Sequence, residues 1–387
     1  MRHLSQRMSF TSLGLPPALI DSLNRNGFTK PYPIQEQAIP VILKGRDVLG
    51  IAKTGSGKTA SYALPLLALL EGKTEGVNRN VNALVLVPTR ELAVQVTEVF
   101  NEFAEQLPYR FKALGVHGGI SINPQMKSLQ NVNVLVATPG RLLELSQSNA
   151  MSFSKLSVLV LDEADKMLNL GFKDEMDEIL ALLPQKRQNL LFSATLSPEI
   201  QNIERVVLQN PEVVHIEEQG TEAESINQTA YLVTNERKGP LLRYLIKSQN
   251  MPQVLIFTSS THRADLVSGK LHKNGISARA IHSKKSQGNR KDSLSSFKAG
   301  NLQALVTTDL LSRGIDVEFL PYIINYELPR SPKDFIHRIG RTGRAENSGE
   351  AITLVTKEDL PHFKVIQKKM KRRLTLVDTE NLDLSHA

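Results

Sequence analysis

The chain has 387 residues, room for two or three domains, and its 41% apolar and 22% charged content is that of a folded protein rather than a disordered one. Lys and Arg exceed Asp and Glu by 47 to 39, a formal charge of +8, which favours a polyanionic partner over an acidic one. The absence of cysteine excludes disulfides and thiolate metal sites, and no apolar stretch is long enough for a bilayer span, so we expect a cytoplasmic protein.

Short apolar runs alternate with amphipathic helical stretches through the first half of the chain. Several runs are apolar on consecutive residues, as strands buried on both faces must be. This alternation predicts a mostly parallel sheet flanked by helices. The runs are DVLGIA from Asp47, NALVLVP from Asn82, VNVLVATP from Val132, VLVLDEA from Val158 and NLLFSAT from Asn189.

The first run leads into a glycine-rich loop. AKTGSGKT leaves a predicted strand at Ala52 and enters a predicted helix at Lys58 and Thr59. Glycines let successive N–H groups face one point, and the helix N-terminus adds partial positive charge there. In this motif the Lys neutralises phosphates and the following hydroxyl binds Mg²⁺. The loop is therefore predicted to bind phosphate, and a plain glycine-rich turn is the less favoured alternative.

The fourth run delivers acids at its end, in the sequence DEAD, Asp162–Asp165. Mg²⁺ is commonly held by one or two carboxylates together with substrate phosphates. We expect Asp162 to hold this ion and Glu163 to orient or deprotonate the water that attacks the γ-phosphate. A solvated acidic turn is the less favoured alternative.

The alternation lapses in the polar stretch IEEQGTEAESINQ, Ile216–Gln228, which we interpret as a linker. It then resumes, so two α/β domains joined by a short tether are predicted. The runs of the second half are QVLIFTSS from Gln253, ISARAIH from Ile276, QALVTTD from Gln303, YIINYEL from Tyr322 and EAITLV from Glu350.

Two basic segments follow in the second half. HRIGRTGR carries Arg338, Arg341 and Arg344, which could neutralise a phosphoryl group only if nucleotide binds between the two domains. A basic surface helix is the alternative for this segment alone. KVIQKKMKRRLTL from Lys364 is also strongly basic, and we favour a solvated helix end over a nucleic-acid contact there.

Taken together, these motifs resemble those of the DEAD-box RNA helicases of helicase superfamily 2. The resemblance runs from Phe10 to about Val355, and the motifs stand in the family's order. They are GFTKPYPIQ (Gly27–Gln35), AKTGSGKT (Ala52–Thr59), PTRELA (Pro88–Ala93), GG (Gly118, Gly119), TPGR (Thr138–Arg141), DEAD, SAT (Ser193–Thr195), LIFTSS (Leu255–Ser260), TTDLLSRGID (Thr307–Asp316) and HRIGRTGR.

The resemblance implies two RecA-like domains, each a mostly parallel sheet flanked by helices. The expected boundaries are an ATP-binding domain at 1–216, a linker at 217–225, a helicase domain at 226–360 and a basic C-terminal tail at 361–387. The implied activity is RNA-stimulated ATP hydrolysis with local duplex opening, and ATP with Mg²⁺ and single-stranded RNA would bind between the domains.

The resemblance also assigns roles within the ATP site. Gln35 would select adenine, Thr59 and Asp162 would hold Mg²⁺, and the catalytic groups would be Lys58, Glu163, Arg341 and Arg344. The ATP contacts would be Phe10, Phe28, Gln35, Thr54, Gly55, Ser56, Gly57, Lys58, Thr59 and Asp316. Residues coupling nucleotide state to RNA would be Asp165, Ser193, Thr195 and His337.

The implied RNA contacts are hydroxyls, arginines and glycines, which suit backbone phosphate and sugar rather than base edges. They are Thr89, Arg90, Gly118, Gly119, Thr138 and Arg141 in the first domain, and Gln287, Arg290, Thr307 and Arg313 in the second. Two alternatives stay open: an ATP-gated RNA clamp or assembly platform with little unwinding, in which protein partners supply specificity, and an ATPase that acts on another polyanion such as DNA.

Overall fold

The structure is a computed structural model that describes residues 9–53, 55–72, 79–216, 226–309, 320–342 and 349–384. The chain divides into two compact units, Met1–Glu217 and Glu218–Ala387. In the described residues each unit contains one parallel sheet of seven strands. The fold class predicted from the alternating runs is therefore confirmed.

The first unit is a doubly wound sheet with strand order β3-β4-β2-β5-β6-β1-β7. Its described elements are a 3₁₀ helix Phe10–Leu13, α1 Pro17–Arg25, α2 Pro33–Leu43, β1 Val48–Ile51, α3 Lys58–Leu69, β2 Ala83–Leu86, α4 Arg90–Ala104, β3 Ala113–Val116, α5 Ile122–Ser128, β4 Val134–Ala137, α6 Pro139–Gln147, β5 Val158–Leu161, α7 Ala164–Asn169, α8 Lys173–Leu182, β6 Gln188–Ser193, α9 Pro198–Val207 and β7 Glu212–His215.

The central strands of this sheet are buried on both faces. In β5, Val158 and Val160 belong to one apolar cluster, whereas Leu159 and Leu161 belong to the cluster on the opposite face. Successive side chains of a strand point to opposite faces, so a strand covered by helices on both sides must be apolar at every position. This is the physical reason for the unbroken apolar runs in the sequence.

The second unit repeats the arrangement with strand order β10-β11-β9-β12-β13-β8-β14. Its described elements are β8 Asn227–Leu232, α10 Lys238–Ser248, β9 Val254–Thr258, α11 Thr261–Lys273, β10 Ala278–Ile281, α12 Gln287–Lys298, β11 Ala304–Thr308, β12 Tyr322–Asn325, α13 Pro332–Ile339, β13 Glu350–Val355, α14 Leu360–Met370 and β14 Leu376–Asp378.

The segment after residue 360, expected as a basic tail, forms a helix and a strand of the second unit. Phe363 and Ile366 of α14 are fully buried in an apolar cluster with Phe335 and Val355. β14 pairs in parallel with β8 at the edge of the sheet. The expectation of a separate tail was therefore wrong for this segment, because its apolar positions are spaced to bury one helix face. The expected linker, 217–225, lies outside the described residues.

Within the described ranges, no helix is long and apolar enough to cross a membrane.

Candidate nucleotide and nucleic-acid sites

The predicted site residues of the first unit follow the carboxyl ends of its strands. The phosphate loop follows β1, the DEAD acids follow β5 and the SAT segment ends β6, and these three strands are adjacent in the sheet. The residues expected to bind RNA follow β2, β3 and β4, which form the neighbouring half of the sheet. Since ligands of open parallel sheets bind at the carboxyl ends, the fold separates two candidate sites along one edge.

The phosphate loop needs glycine at two positions. Gly55 and Gly57 have φ angles of +79° and +86°, in the left-handed region. A Cβ on Gly57 would also overlap the amide nitrogen of Gln35. Ser56 closes the loop, since its Oγ donates to the carbonyl of Lys53 at 2.8 Å. Thr54 lies outside the described residues.

Lys58 points back into its own loop. Its Nζ donates to the carbonyls of Ala52 at 2.5 Å and Lys53 at 2.8 Å. Burial lowers the pKa of Lys58, and the charges of Asp162 and Glu163 oppose that effect. Both hydrogen-bond acceptors of this ammonium group in the described residues are neutral carbonyls, and an ammonium bonds more strongly to an anion, so the geometry suits the phosphate contact expected of Lys58.

Asp162 is the buried acid at the end of β5. Its Oδ2 accepts a hydrogen bond from the hydroxyl of Tyr62 at 2.7 Å, and its Oδ1 accepts from the backbone N–H of Glu163 at 2.8 Å. Burial, and then the neighbouring charge of Glu163, raise the pKa of Asp162 to about 6. A cation at this carboxylate would relieve both effects.

The residues present fit a magnesium ion held mainly by substrate and water. The described residues contain no cluster of three or more His, Asp or Glu side chains suited to enclose a metal. Thr59, at the start of α3, and Asp162 are the two expected protein ligands. Mg²⁺ keeps several waters and binds substrate phosphates, so a small protein ligand set is its usual environment.

Glu163 occupies a strained turn between β5 and α7. Its φ and ψ are 52° and 45°, the left-handed region that non-glycine residues rarely adopt. Its Oε1 pairs with Nζ of Lys166 at 2.5 Å. Its Oε2 is buried and has no hydrogen-bond partner among the described residues. One carboxylate oxygen is therefore held in place and the other can accept a proton.

The residues expected to couple nucleotide and RNA binding in the first unit contact one another. Thr195 Oγ1 donates to Oδ2 of Asp165 at 3.1 Å. Ser193 Oγ in turn donates to the carbonyl of Thr195 at 2.8 Å. These bonds join the residues after β5 to the end of β6, as the expected coupling between the DEAD acids and the SAT segment requires.

The residues expected near adenine differ in accessibility. Gln35, which is 4% exposed, accepts from the backbone N–H of Tyr32 at 2.9 Å and donates to the carbonyl of Gly57 at 3.1 Å. Phe28 is 37% exposed and packs edge-on against Phe103. Phe10 is 5% exposed and belongs to the apolar core. Phe28 is thus open to a base, whereas Phe10 supports the core beneath.

The expected RNA residues of the first unit lie on the loops after β2, β3 and β4 and on the first turns of the helices that follow β2 and β4. Arg90 lies against Gly118 and Gly119, where a Cβ on Gly119 would overlap the guanidinium group. Arg141 is 7% exposed, donates to the carbonyl of Ile120 at 2.9 Å and leaves Nη1 buried without a hydrogen-bond partner among the described residues. The remaining two residues precede helices: Thr89 caps α4, where its Oγ1 accepts from Leu92 N, and Thr138 stands just before α6 without a side-chain cap hydrogen bond.

The second unit presents only part of its expected set. Gln287 and Arg290 lie on the first turn of α12, and the Oε1 of Gln287 is buried without a hydrogen-bond partner in the described residues. Thr307 in β11 has no exposed surface, so its contact with RNA stays a prediction. Arg341 is 7% exposed and His337 lies on α13. Three expected residues, Arg313, Asp316 and Arg344, lie outside the described residues.

Arg338 of the HRIGRTGR segment has a structural role. Its Nε and Nη2 bond to the two carboxylate oxygens of Asp309 at 2.5 and 2.8 Å. It is 2% exposed and lies 4.9 Å from the centre of the Phe257 ring. One of the three arginines is therefore used to hold the second unit together.

Comparison with known proteins agrees with this geometry. The family described as DEAD/DEAH box helicase matches residues 32–203, and the helicase conserved C-terminal domain matches residues 237–346. The chain is 36% identical to the ATP-dependent RNA helicase CshA of Listeria monocytogenes over 98% of its length and 72% of that protein. It belongs to the DEAD-box helicases. The resemblance drawn from the motifs is thus confirmed.

A second DEAD-box relative and a solved structure agree with this assignment. The DEAD-box ATP-dependent RNA helicase RhpA of Helicobacter pylori is 36% identical over 97% of this chain and 75% of its own. Saccharomyces cerevisiae Dbp5 bound to RNA and ADP BeF₃ superposes with a TM-score of 0.83 at 30% identity, over 98% of this chain and 97% of that one. The two sheets are therefore RecA-like domains.

Motif reading of this DEAD-box chain missed three residues. Tyr62 and Lys166 contact Asp162 and Glu163 directly, and Asp309 pairs with Arg338. Lys166 could have been found, because it stands three residues after Glu163 and such pairs share a helix face. Tyr62 is 100 residues from Asp162 in the sequence and Asp309 is 29 residues from Arg338, so no local sequence pattern predicts these contacts.

Proposed function

We propose that this DEAD-box protein is an RNA-dependent ATPase that locally unwinds or remodels RNA duplexes. The observation that carries the proposal is the buried group at the ends of β1 and β5. There, the ammonium group of Lys58 would bind an anion and the carboxylate of Asp162 would bind a cation. Glu163 has one carboxylate oxygen without a hydrogen-bond partner among the described residues. Such a constellation beside a glycine loop suits phosphoryl transfer to water.

Phosphate binding would be the work of the loop and of α3. The backbone N–H groups of Gly55–Thr59 and the N-terminus of α3 attract the phosphates. Lys58 then exchanges the carbonyls of Ala52 and Lys53 for phosphate oxygens, which are stronger acceptors for an ammonium group. Thr59 and Asp162 would hold Mg²⁺, whose charge offsets that of the phosphates.

Glu163 would activate the attacking water. Lys166 fixes Oε1, so Oε2 can orient the water and accept its proton. Arg341, Arg344 and Asp316 would complete the site from the second domain, at the developing phosphoryl charge and the ribose. Release of phosphate would be sensed through the hydrogen bond from Thr195 to Asp165.

RNA would bind across the ends of β2, β3 and β4. Arginines, hydroxyls and close-approach glycines contact phosphates and sugars, so binding would be independent of base sequence. Contacts to the 2′-OH would favour RNA over DNA. The relatives named as ATP-dependent RNA helicases and the Dbp5 complex with RNA support this assignment.

The test is steady-state ATP hydrolysis with and without single-stranded RNA at defined salt, comparing wild type with Glu163→Gln. We expect strong stimulation by RNA, less by matched DNA, and loss of turnover in Glu163→Gln with RNA and nucleotide binding retained. Glu178→Gln, the same change at an exposed residue of α8, is the control. Normal turnover in Glu163→Gln would disprove the role of Glu163.

Strand separation is tested next with a duplex that has a single-stranded overhang. Separation in the presence of ATP supports remodelling. Slow release of RNA with an ATP analogue and no separation would instead favour the RNA clamp.

We also propose the domain limits of 1–216 and from 226 onward, which limited proteolysis would test. We propose a cytoplasmic location, which cell fractionation would test.

A further inference from the structure

One strongly basic surface lies outside every ATPase motif in the sequence. Its five exposed cations lie on α14 and on the residues that follow it, and we call them the α14 basic surface. They are Lys364, Lys368, Lys369, Lys371 and Arg373. A sixth cation, Arg372, is half-buried and donates to the carbonyl of Ile226 at 3.1 Å.

The α14 basic surface belongs to a helix that is packed firmly into the second unit. The opposite face of α14 is anchored by Phe363 and Ile366, both fully buried against α13 and β13. The chain then continues into β14, which pairs with β8. The cations are thus displayed by a folded element, and a ligand that binds them has less ordering entropy to overcome than with a disordered tail.

The described part of the chain supplies no counter-charge to this surface. None of its five cations forms an ion pair with an acid of the described residues, and no acid occurs in the sequence between Asp359 and Asp378. Removing the six cations from the total of 47 leaves 41 against 39 acids, so the net charge falls from +8 to +2. Most of the chain's excess positive charge is therefore here.

The helix dipole accounts for only some of the cations of the α14 basic surface. Lys368 and Lys369 lie in the last turn of α14, where the helix dipole stabilises a cation by about 0.3–1 kcal/mol. Lys364 lies a turn earlier and Arg373 beyond the helix end, where that stabilisation fades. Lys364 and Lys368 are also spaced to repel each other. Among the described residues, the five exposed cations have no ion-pair partner that would account for them.

We propose that the α14 basic surface binds the sugar-phosphate backbone of RNA that extends beyond the motif residues. The inference rests on the proposed function only in naming RNA as the nucleic acid. The surface offers mainly point charges on flexible stems, and the aromatic side chains just before Lys364 are already engaged: the ring of His362 bonds to the carbonyl of Pro329 at 2.7 Å, and Phe363 is buried. Such a surface reads phosphate rather than bases.

The experiment compares the full chain with the triple variant Lys364→Gln, Lys368→Gln, Lys369→Gln. Glutamine keeps the helix propensity of lysine and removes the charge. Binding of a long fluorescent single-stranded RNA is measured by anisotropy across a fourfold range of salt. Each phosphate contact contributes about 0.7 to the salt slope on single strands, so we expect the slope to fall by about 2. Over that range wild-type affinity should then drop about 20-fold more than that of the variant.

The control variant is Lys247→Gln, Lys270→Gln, Lys273→Gln, which removes three exposed cations from the last turns of α10 and α11. It should keep the wild-type slope. A triple α14 variant whose slope matches this control would overturn the proposal, and acidic proteins or anionic surfaces would become the candidate partners. RNA-stimulated turnover at saturating RNA should be unchanged in both variants. Failure of the proposed ATPase function would instead show as no RNA stimulation in wild type, whatever the slopes.

Discussion

At the residue scale, Tyr62 connects the phosphate-loop helix to the DEAD acids. It has no exposed surface and lies between Phe100 and Phe192, with ring centres 6.3 and 5.3 Å away. A buried phenol needs a hydrogen-bond partner, and its hydroxyl finds Oδ2 of Asp162. Burial, and then the charge of Asp162, raise the pKa of Tyr62 well above its usual value, so the hydroxyl stays a donor.

Replacing Tyr62 by Phe should loosen Asp162 without disturbing the core. We expect the free energy of unfolding of the first domain to fall by about 1 kcal/mol, since one hydrogen bond is lost and the ring is kept. Mg²⁺ titration of fluorescent ADP binding should need several-fold more Mg²⁺. Tyr109→Phe is the control, because its hydroxyl bonds to the carbonyl of Leu67 at the other end of α3. Equal loss of Mg²⁺ response in both variants would contradict a special role for Tyr62.

His117 makes the first domain sensitive to acid. It is 5% exposed, and burial lowers its pKa, although a hydrogen bond with the carbonyl of Gly118 partly opposes that shift. Below about pH 6.5 the unfolded chain therefore binds more protons at this position than the folded one. Stability contributed by neutral His117 is present above that pH and is lost as the pH falls.

Unfolding of His117→Gln should consequently depend less on pH than that of wild type. We expect the free energy of unfolding of wild type to fall more between pH 7.5 and 5.5 than that of the variant, measured by denaturant titration. Acids titrate alike in both proteins, so the difference isolates this imidazole. His215→Gln, at an exposed histidine of the same domain, should keep the wild-type dependence. A pH response equal to wild type in His117→Gln would refute the idea.

At the scale of the element, the turn from β5 into α7 stores strain at Glu163. The residue precedes the first turn of α7 with φ of 52°, a conformation that glycine adopts without steric penalty. Glutamate occupies this position although glycine would adopt the conformation more easily. Strained backbone concentrates at functional sites, so the strain is consistent with the proposed role of the carboxylate.

Comparing Glu163→Gly with Glu163→Ala separates strain from chemistry. Both variants lose the carboxylate and its pair with Lys166, so both should lack turnover. Glycine should nonetheless leave the first domain about 1 kcal/mol more stable than alanine, because only alanine keeps the left-handed penalty. Denaturant unfolding of the two proteins measures the difference. Equal stabilities would mean that the turn relaxes when the glutamate is removed.

The sequence predicted nearly all interior strands and one edge strand, β10, but not the other strands at or next to the sheet edges. All ten apolar runs contain a strand, whereas β3, β7, β8 and β14 were not anticipated. Three of these four are edge strands, and β8 lies next to an edge. Residues of such strands are partly exposed and can be polar, as in NQTAYL of β8, so neither unbroken apolar runs nor strict alternation marks them.

The sequence predicted which ligands the candidate site would bind, but not which hydrogen bonds its side chains form within the protein. Glycine-rich loops and acids at strand ends indicate phosphate and metal binding, because backbone geometry and charge can be read from a short stretch of sequence. The bonds of Lys58 to its own loop, of Gln35 to Gly57 and of Glu163 to Lys166 depend on how side chains meet after folding. Residues in the ranges that the structure does not describe, such as Asp316, stay predictions.

At the scale of the whole molecule, each domain has its own core. Two apolar clusters cover the faces of the first sheet, and three others belong wholly to the second domain. One of the latter joins Phe363 of α14 to Phe335 and Ile339 of α13. Domains with separate cores unfold in separate steps unless an interface couples them, so a defect in α14 should report on the second domain alone.

Phe363→Ala tests both the independence of the domains and the place of α14. The side chain has no exposed surface, so we expect a loss of about 3–5 kcal/mol in the second domain. Unfolding is followed with and without Mg²⁺ and ADP, which stabilise the domain that binds them and so identify its transition. The free energy of unfolding of the second domain should fall, whereas that of the nucleotide-sensitive transition should stay unchanged. Val365→Ala, at a residue of the same helix that is 55% exposed, should change neither by more than about 0.5 kcal/mol. If Phe363→Ala moved neither transition, α14 would be a tail after all, and if it moved both, the domains would unfold as one.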